Sequence, residues 1–162
     1  MEAHGHEAQG TPPPLHAFIV DDDRDLLAPI CEVLAECGID ATPLANAEDA
    51  MANLECGVRP DFVLLDFRLP QLSGDAMLRS LKGDERWRDI PVAAMTAYPP
   101  ELFPAFALAD AFLPKPFDVE ALEELVTMLS RWARPDGKGE TPAPWLDVAA
   151  GTAAGAASEG RS

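Results

Sequence analysis

Apolar residues fall along this chain in two alternating periods. Short continuous runs (Phe18-Ile19-Val20, Phe62-Val63-Leu64-Leu65, Val92-Ala93-Ala94-Met95, Ala111-Phe112-Leu113) alternate with stretches whose apolar positions recur at helical spacing. The clearest helical stretch carries Val119, Leu122, Leu125, Val126 and Leu129. The pattern predicts strands near 16–20, 40–44, 61–65, 91–95 and 111–113, and helices near 24–37, 47–56, 73–83, 100–109 and 118–133. Local signals mark several ends. Asn46 and Asp118 are suitable N-caps, Ser73 opens the third helix, Gly57 stops the second, and Pro135 lies beyond the last. Strands alternating with helices favour a parallel sheet covered on both faces, joined by right-handed crossovers.

Each apolar run leads into polar chemistry: Asp21-Asp22-Asp23 after the first, then Asp66, Thr96 and Lys115. The carboxyl ends of parallel strands lie along one edge, so these groups would meet in one crevice. Carboxylates, a hydroxyl and an ammonium gathered there suit a divalent cation and a phosphoryl group. Singly, each has a plainer explanation. The acidic triplet could cap the helix that holds Leu26, Leu27 and Ile30; Asp66 before Leu69-Pro70 could be a turn residue; Thr96 a β-branched strand end; Lys115 a solvated loop lysine; Phe112 a core residue. Coincidence at four strand ends favours the joint reading.

The 162 residues, 48% of them hydrophobic, allow one domain with a single core. Residues 1–15 and 134–162 are rich in Pro, Gly and small residues without periodicity, and read as flexible or disordered tails flanking a domain at 16–133. No apolar run approaches the length of a membrane span, and the start lacks a signal peptide's basic and apolar regions, so a cytoplasmic protein is expected. The formal net charge of −16 opposes direct binding to nucleic acid and would instead attract a cation or a basic partner. Cys31, Cys37 and Cys56 are odd in number, lack metal-ligand spacing and are expected as buried free thiols. His4, His6 and His16 lie in or beside the Pro/Gly-rich start, which argues against a metal site.

Four segments together resemble the signatures of the response-regulator receiver domain: Phe18 to Asp23, Leu64 to Pro70 with Ser73-Gly74, Met95-Thr96-Ala97, and Pro114-Lys115-Pro116-Phe117. The resemblance implies a flavodoxin-like, doubly wound α/β fold with a five-stranded parallel sheet in the order 2-1-3-4-5. It implies Asp66 as the acceptor of a phosphoryl group from a histidine kinase or histidine phosphotransfer protein. Asp21 and Asp22 would hold Mg²⁺ with Asp66 and the backbone carbonyl of Arg68, and Thr96 and Lys115 would bind the phosphoryl oxygens. Thr96 and Phe112 would form the family's switch, and Lys115-Pro116 a cis peptide. Only 18 residues separate Thr96 from Lys115, and Pro99, Pro100 and Pro104 crowd the interval, so the fourth helix is expected to be short or irregular. Arg68 and Tyr98 would flank the approach of water to the phosphoryl group and lengthen the life of the phosphoaspartate.

The expected function is that of a stand-alone response regulator, catalytic only in its own Mg²⁺-dependent phosphorylation and dephosphorylation. It would signal by contact with an unidentified protein target, because residues 134–162 are too irregular for a DNA-binding unit. Trp145-Leu146-Asp147-Val148 is either a docking motif or incidental to the tail. Two rivals remain at this level. The run into Asp21-Asp22-Asp23 also resembles the signature of haloacid-dehalogenase-type phosphatases, with Asp21 as nucleophile, although such enzymes place further metal-binding acids after the lysine. The other rival is an interaction module of the same fold that works without phosphate.

Overall fold

A computed structural model of the chain describes residues 14–67, 74–97 and 107–133. In chain order the elements are β1 (Leu15–Val20), α1 (Arg24–Glu36), β2 (Ile39–Leu44), α2 (Ala47–Glu55), β3 (Phe62–Asp66), α3 (Gly74–Lys82), β4 (Val92–Thr96), β5 (Ala111–Pro114) and α4 (Val119–Ala133). The five strands are parallel and ordered β2-β1-β3-β4-β5, as expected.

The period of two within each strand divides the core between the two faces of the sheet. Phe18 and Val20, Val63 and Leu65, Val92 and Ala94, and Phe112 pack with Ala50 and Leu54 of α2 and with Met77, Leu78 and Leu81 of α3. Ala17 and Ile19, Phe62 and Leu64, Ala93 and Met95, and Ala111 and Leu113 pack with Leu27, Ile30 and Leu34 of α1 and with Leu122, Leu125 and Leu129 of α4. Both faces of the inner strands are covered, so a one-residue slip would exchange two packed faces rather than bury a polar one; the strand ends must therefore be fixed by other contacts.

Capping follows the sequence signals. The Asp49 amide donates to Asn46 Oδ1 at 2.7 Å, and the Ala121 amide donates to Asp118 Oδ1 at 2.8 Å. Gly57, at φ 100°, takes the left-handed conformation that closes α2. Pro29 is accommodated inside α1 on its exposed side. Two expectations fall outside the described residues, wholly or in large part: the opening of α3 by Ser73, and the helix over 100–109, of which the described part forms a 3₁₀ turn at 107–108. The cysteines need correction. They are free, but Cys37 and Cys56 are exposed and Cys31 is half-buried, because the first two lie at helix C-caps, where the chain turns out to solvent. Burial pushes the Cys31 thiol up, and burial with the charges of Glu123 and Glu36 does the same for Cys37, so neither is poised as a thiolate.

Candidate functional site

The acidic triplet after β1 is divided between two tasks. Asp23 is the N-cap of α1, its carboxylate accepting the Asp25 amide at 3.0 Å. Asp21 is fully buried: its amide donates to the Leu44 carbonyl at the end of β2, its Oδ1 accepts the Asp23 amide at 2.9 Å, and its Oδ2 accepts Lys115 Nζ at 2.8 Å. Asp22 is exposed. The capping explanation thus holds for one acid and leaves the other two at the strand edge.

Asp66 ends β3, 4% exposed, and carboxylate oxygens of Asp21, Asp22 and Asp66 all lie within 4.8 Å of one another. Lys115 Nζ stands 3.6 Å from Asp66 Oδ2, an ion pair longer than a hydrogen bond. Thr96, 1% exposed, is one residue beyond Met95, the β4 partner of Asp66, and its carbonyl accepts the Lys115 amide at 2.9 Å. That bond continues the β4–β5 ladder past Pro114 and sets where the lysine leaves the sheet. The Lys115-Pro116 peptide is cis, as the resemblance implies. Phe112 is buried in the core beneath, on the face shared with α2 and α3. The structure therefore brings Asp21, Asp22, Asp66, Thr96 and Lys115 to one edge. Arg68 and Tyr98 lie outside the described residues, as do His4 and His6. His16 belongs to the strand pairing instead, its Nε2 lying 2.6 Å from the Thr42 hydroxyl on β2.

Among the described residues three carboxylates and one ammonium meet here, and two of the three carboxylates are withdrawn from water. Such a group repels itself, and a hard divalent cation with a preference for oxygen ligands would offset the surplus. The donor set fits Mg²⁺. An apolar-lined cleft of about 330 Å³ bounded by Asp23, Leu26, Ala97, Lys115, Pro116 and Phe117 opens beside it. Sequence reasoning took Gly74 only as part of a motif. In the structure α3 begins at Gly74, directly against the backbone of Asp66, an approach that becomes visible only when β3 and α3 are placed together.

Comparison with known proteins points one way. Residues 17–127 match the family described as the response regulator receiver domain. The phosphate regulon transcriptional regulatory protein PhoB of Pseudomonas aeruginosa is 35% identical over 130 residues, which are 78% of this chain and 55% of that protein. The chain thus spans about half the length of that curated relative. Among solved structures, the receiver domain of the sensor histidine kinase PA1611 from Pseudomonas aeruginosa PAO1, with a magnesium ion coordinated in its active-site cleft, is 28% identical. It superposes with a TM-score of 0.65 over 74% of this chain and 98% of that one. The chemotaxis response regulator CheY4 of Vibrio cholerae shares the fold at a TM-score of 0.66 and 21% identity, over 72% of this chain and 98% of that one.

Proposed function

Because the chain belongs to the response regulator receiver domain family, we propose that Asp66 accepts a phosphoryl group from a histidine kinase or histidine phosphotransfer protein. The observation that carries the reading is the cluster of Asp21, Asp22 and Asp66 with Lys115 Nζ between the two buried acids. An Asp66 carboxylate oxygen attacks phosphorus, the bond from phosphorus to the histidine nitrogen breaks, and that nitrogen regains a proton. Return to the resting state breaks the acyl phosphate by attack of water and releases inorganic phosphate. Asp21, Asp22 and Asp66 would hold Mg²⁺ together with the Arg68 carbonyl, and the bound ion would supply positive charge to the phosphoryl oxygens. Lys115 then has a second task. Its ammonium, already 2.8 Å from Asp21, turns toward a phosphoryl oxygen, while the Thr96 hydroxyl donates to another. Movement of Thr96 toward the phosphate leaves room that Phe112 takes up, which changes the surface a target protein reads. Arg68 and Tyr98, outside the described residues, would by their place in the sequence motifs restrict in-line water, so alanine at both would shorten the phosphoaspartate lifetime in a decay assay.

The domain assigned this role is 16–133. A free-standing regulator remains the reading from sequence; PhoB has nearly as much chain again outside its matched stretch. Among the described residues no helix is long and apolar enough to cross a membrane. The haloacid-dehalogenase alternative has less support, since Asp21, its nucleophile, has one oxygen on Lys115 and the other on the Asp23 amide. Incubation with acetyl phosphate and Mg²⁺ followed by intact mass measurement tests the proposal. The expected result is a gain of about 80 Da, one phosphoryl unit, that Asp66→Asn removes. Loss of the gain in Asp21→Asn alone, with turnover of phosphate esters, would favour the phosphatase. No gain from acetyl phosphate or from a cognate kinase would favour a phosphate-independent module.

A further inference from the structure

A methyl group placed on Gly74 would lie 2.2 Å from the backbone oxygen of Asp66, 2.6 Å from Phe67 Cα and 3.0 Å from the Asp66 carbonyl carbon. All three are backbone atoms, so no side-chain rotation relieves the contact. Ordinary carbon–oxygen contact begins at about 3.3 Å, and a side chain here would force the two segments apart by about 1 Å.

Neither segment has slack to absorb that shift. On one side α3 is pinned by Met77, Leu78 and Leu81, all fully buried. On the other, the Phe67 amide donates to the Met95 carbonyl at 3.2 Å and the Phe67 side chain is 2% exposed in the same core. The Asp66–Phe67 peptide is therefore held between β4 and the first residue of α3. The Asp66 carboxylate hangs from that peptide, and its place relative to Asp21, Asp22 and Lys115 follows from where the peptide is held.

We infer that Gly74 is a positioning residue for the acceptor: its missing side chain lets α3 press on the Asp66 backbone and hold the carboxylate at working distance from its partners. The inference rests on the reading of Asp66 as phosphoryl acceptor. A displacement of about 1 Å at a reacting group can cost about 100-fold in rate, so the effect on phosphorylation should exceed what loss of stability explains.

The test compares Gly74→Ala with Leu129→Ala, which removes a fully buried side chain of α4 on the opposite face of the sheet. For each, thermal unfolding, Mg²⁺ affinity by calorimetry and the rate of phosphorylation by acetyl phosphate at saturating Mg²⁺ are measured on folded protein. The expected result is a rate about 100-fold lower and weaker Mg²⁺ binding in Gly74→Ala, against near-normal values in an equally destabilised Leu129→Ala. Equal rates per folded molecule in the two variants would overturn the inference while leaving Asp66 as acceptor, whereas an unaltered chain that takes up no phosphate overturns both. Should Gly74→Ala not fold, nuclear magnetic resonance of the unaltered chain decides. Mg²⁺ is expected to shift the Gly74 amide and leave that of Gly83, at the far end of α3, in place; a Gly74 resonance indifferent to Mg²⁺ sinks the idea.

Discussion

The two ends of the sheet use the same chemistry to opposite purposes. At the amino end, Lys82 Nζ donates to the carbonyls of Arg88 and Ile90 at 3.0 and 2.9 Å and to Asp110 Oδ2 at 2.8 Å, and that same oxygen accepts the Val92 amide at 2.8 Å. One cation and one anion are satisfied there, and together they tie the end of α3 to the starts of β4 and β5. At the carboxyl end, among the described residues, Lys115 pairs with the buried Asp21 and Asp66 while the exposed Asp22 lies in the same acidic cluster. The first arrangement balances its charges, whereas the second leaves negative charge in excess among the described residues. A protein whose binding site costs stability and whose scaffold supplies it is the expected compromise.

The contrast predicts stability changes of opposite sign. The largest should come from Asp110→Ala, which deprives the Val92 amide of its acceptor and leaves the Lys82 ammonium with the Arg88 and Ile90 carbonyls but without the carboxylate. With the Lys82 and Asp110 side chains 14% and 24% exposed, the loss should be about 2 kcal/mol in urea unfolding, with the phosphorylation rate of folded molecules kept. An unchanged midpoint would erase the difference between the two ends. Next in size is the ligand itself: Mg²⁺ at about ten times its dissociation constant should raise stability by about 1.4 kcal/mol, and Asp22→Asn should lose most of that gain at the same concentration. Third, in Mg²⁺-free buffer Asp66→Asn should stabilise the chain by about 1 kcal/mol, because it removes one of three mutually repelling carboxylates while Lys115 keeps Asp21. A destabilised Asp66→Asn would mean that the cluster is already balanced.

The smallest effect belongs to Asp84, at the surface beyond α3. The Arg86 side chain, and then its amide, hold the Asp84 carboxyl down to about 2 from 3.8. A carboxyl lower in the folded than the unfolded state contributes stability above the unfolded value and loses it as pH falls through the folded one. Asp84→Asn should therefore lower unfolding midpoints slightly near neutrality and flatten their decline between pH 3.8 and about 2. The effect is small because both partners lie at the surface in solvent.

Much of this was legible in the residues, for a local reason. Periods of two and 3.6, the caps Asn46 and Asp118 and the stop at Gly57 depend on contacts within a few residues, and all appear where the pattern puts them. The four strand-end motifs were legible because a parallel sheet gathers carboxyl ends whatever the details of packing. The cysteines were misread because aliphatic neighbours in sequence say nothing about the outward turn at a helix end. The Lys82–Asp110 pair was invisible because it joins residues 28 apart along the chain, and the approach of Gly74 to Asp66 because it depends on how α3 is laid against β3.

Sequence alone, then, determined which residue types stand at the ends of the apolar runs, and so the kind of chemistry this protein carries. Tertiary structure decided the rest: that Asp21 and Asp22 stand with Asp66, that Lys115 reaches two acids at once, and that α3 meets the backbone of Asp66 at Gly74. The physical reason is one of range. Residue type and periodicity act over a turn of helix or a strand pair, whereas the charge balance of a site and the fit of one backbone against another exist only once distant segments share a few ångströms of space.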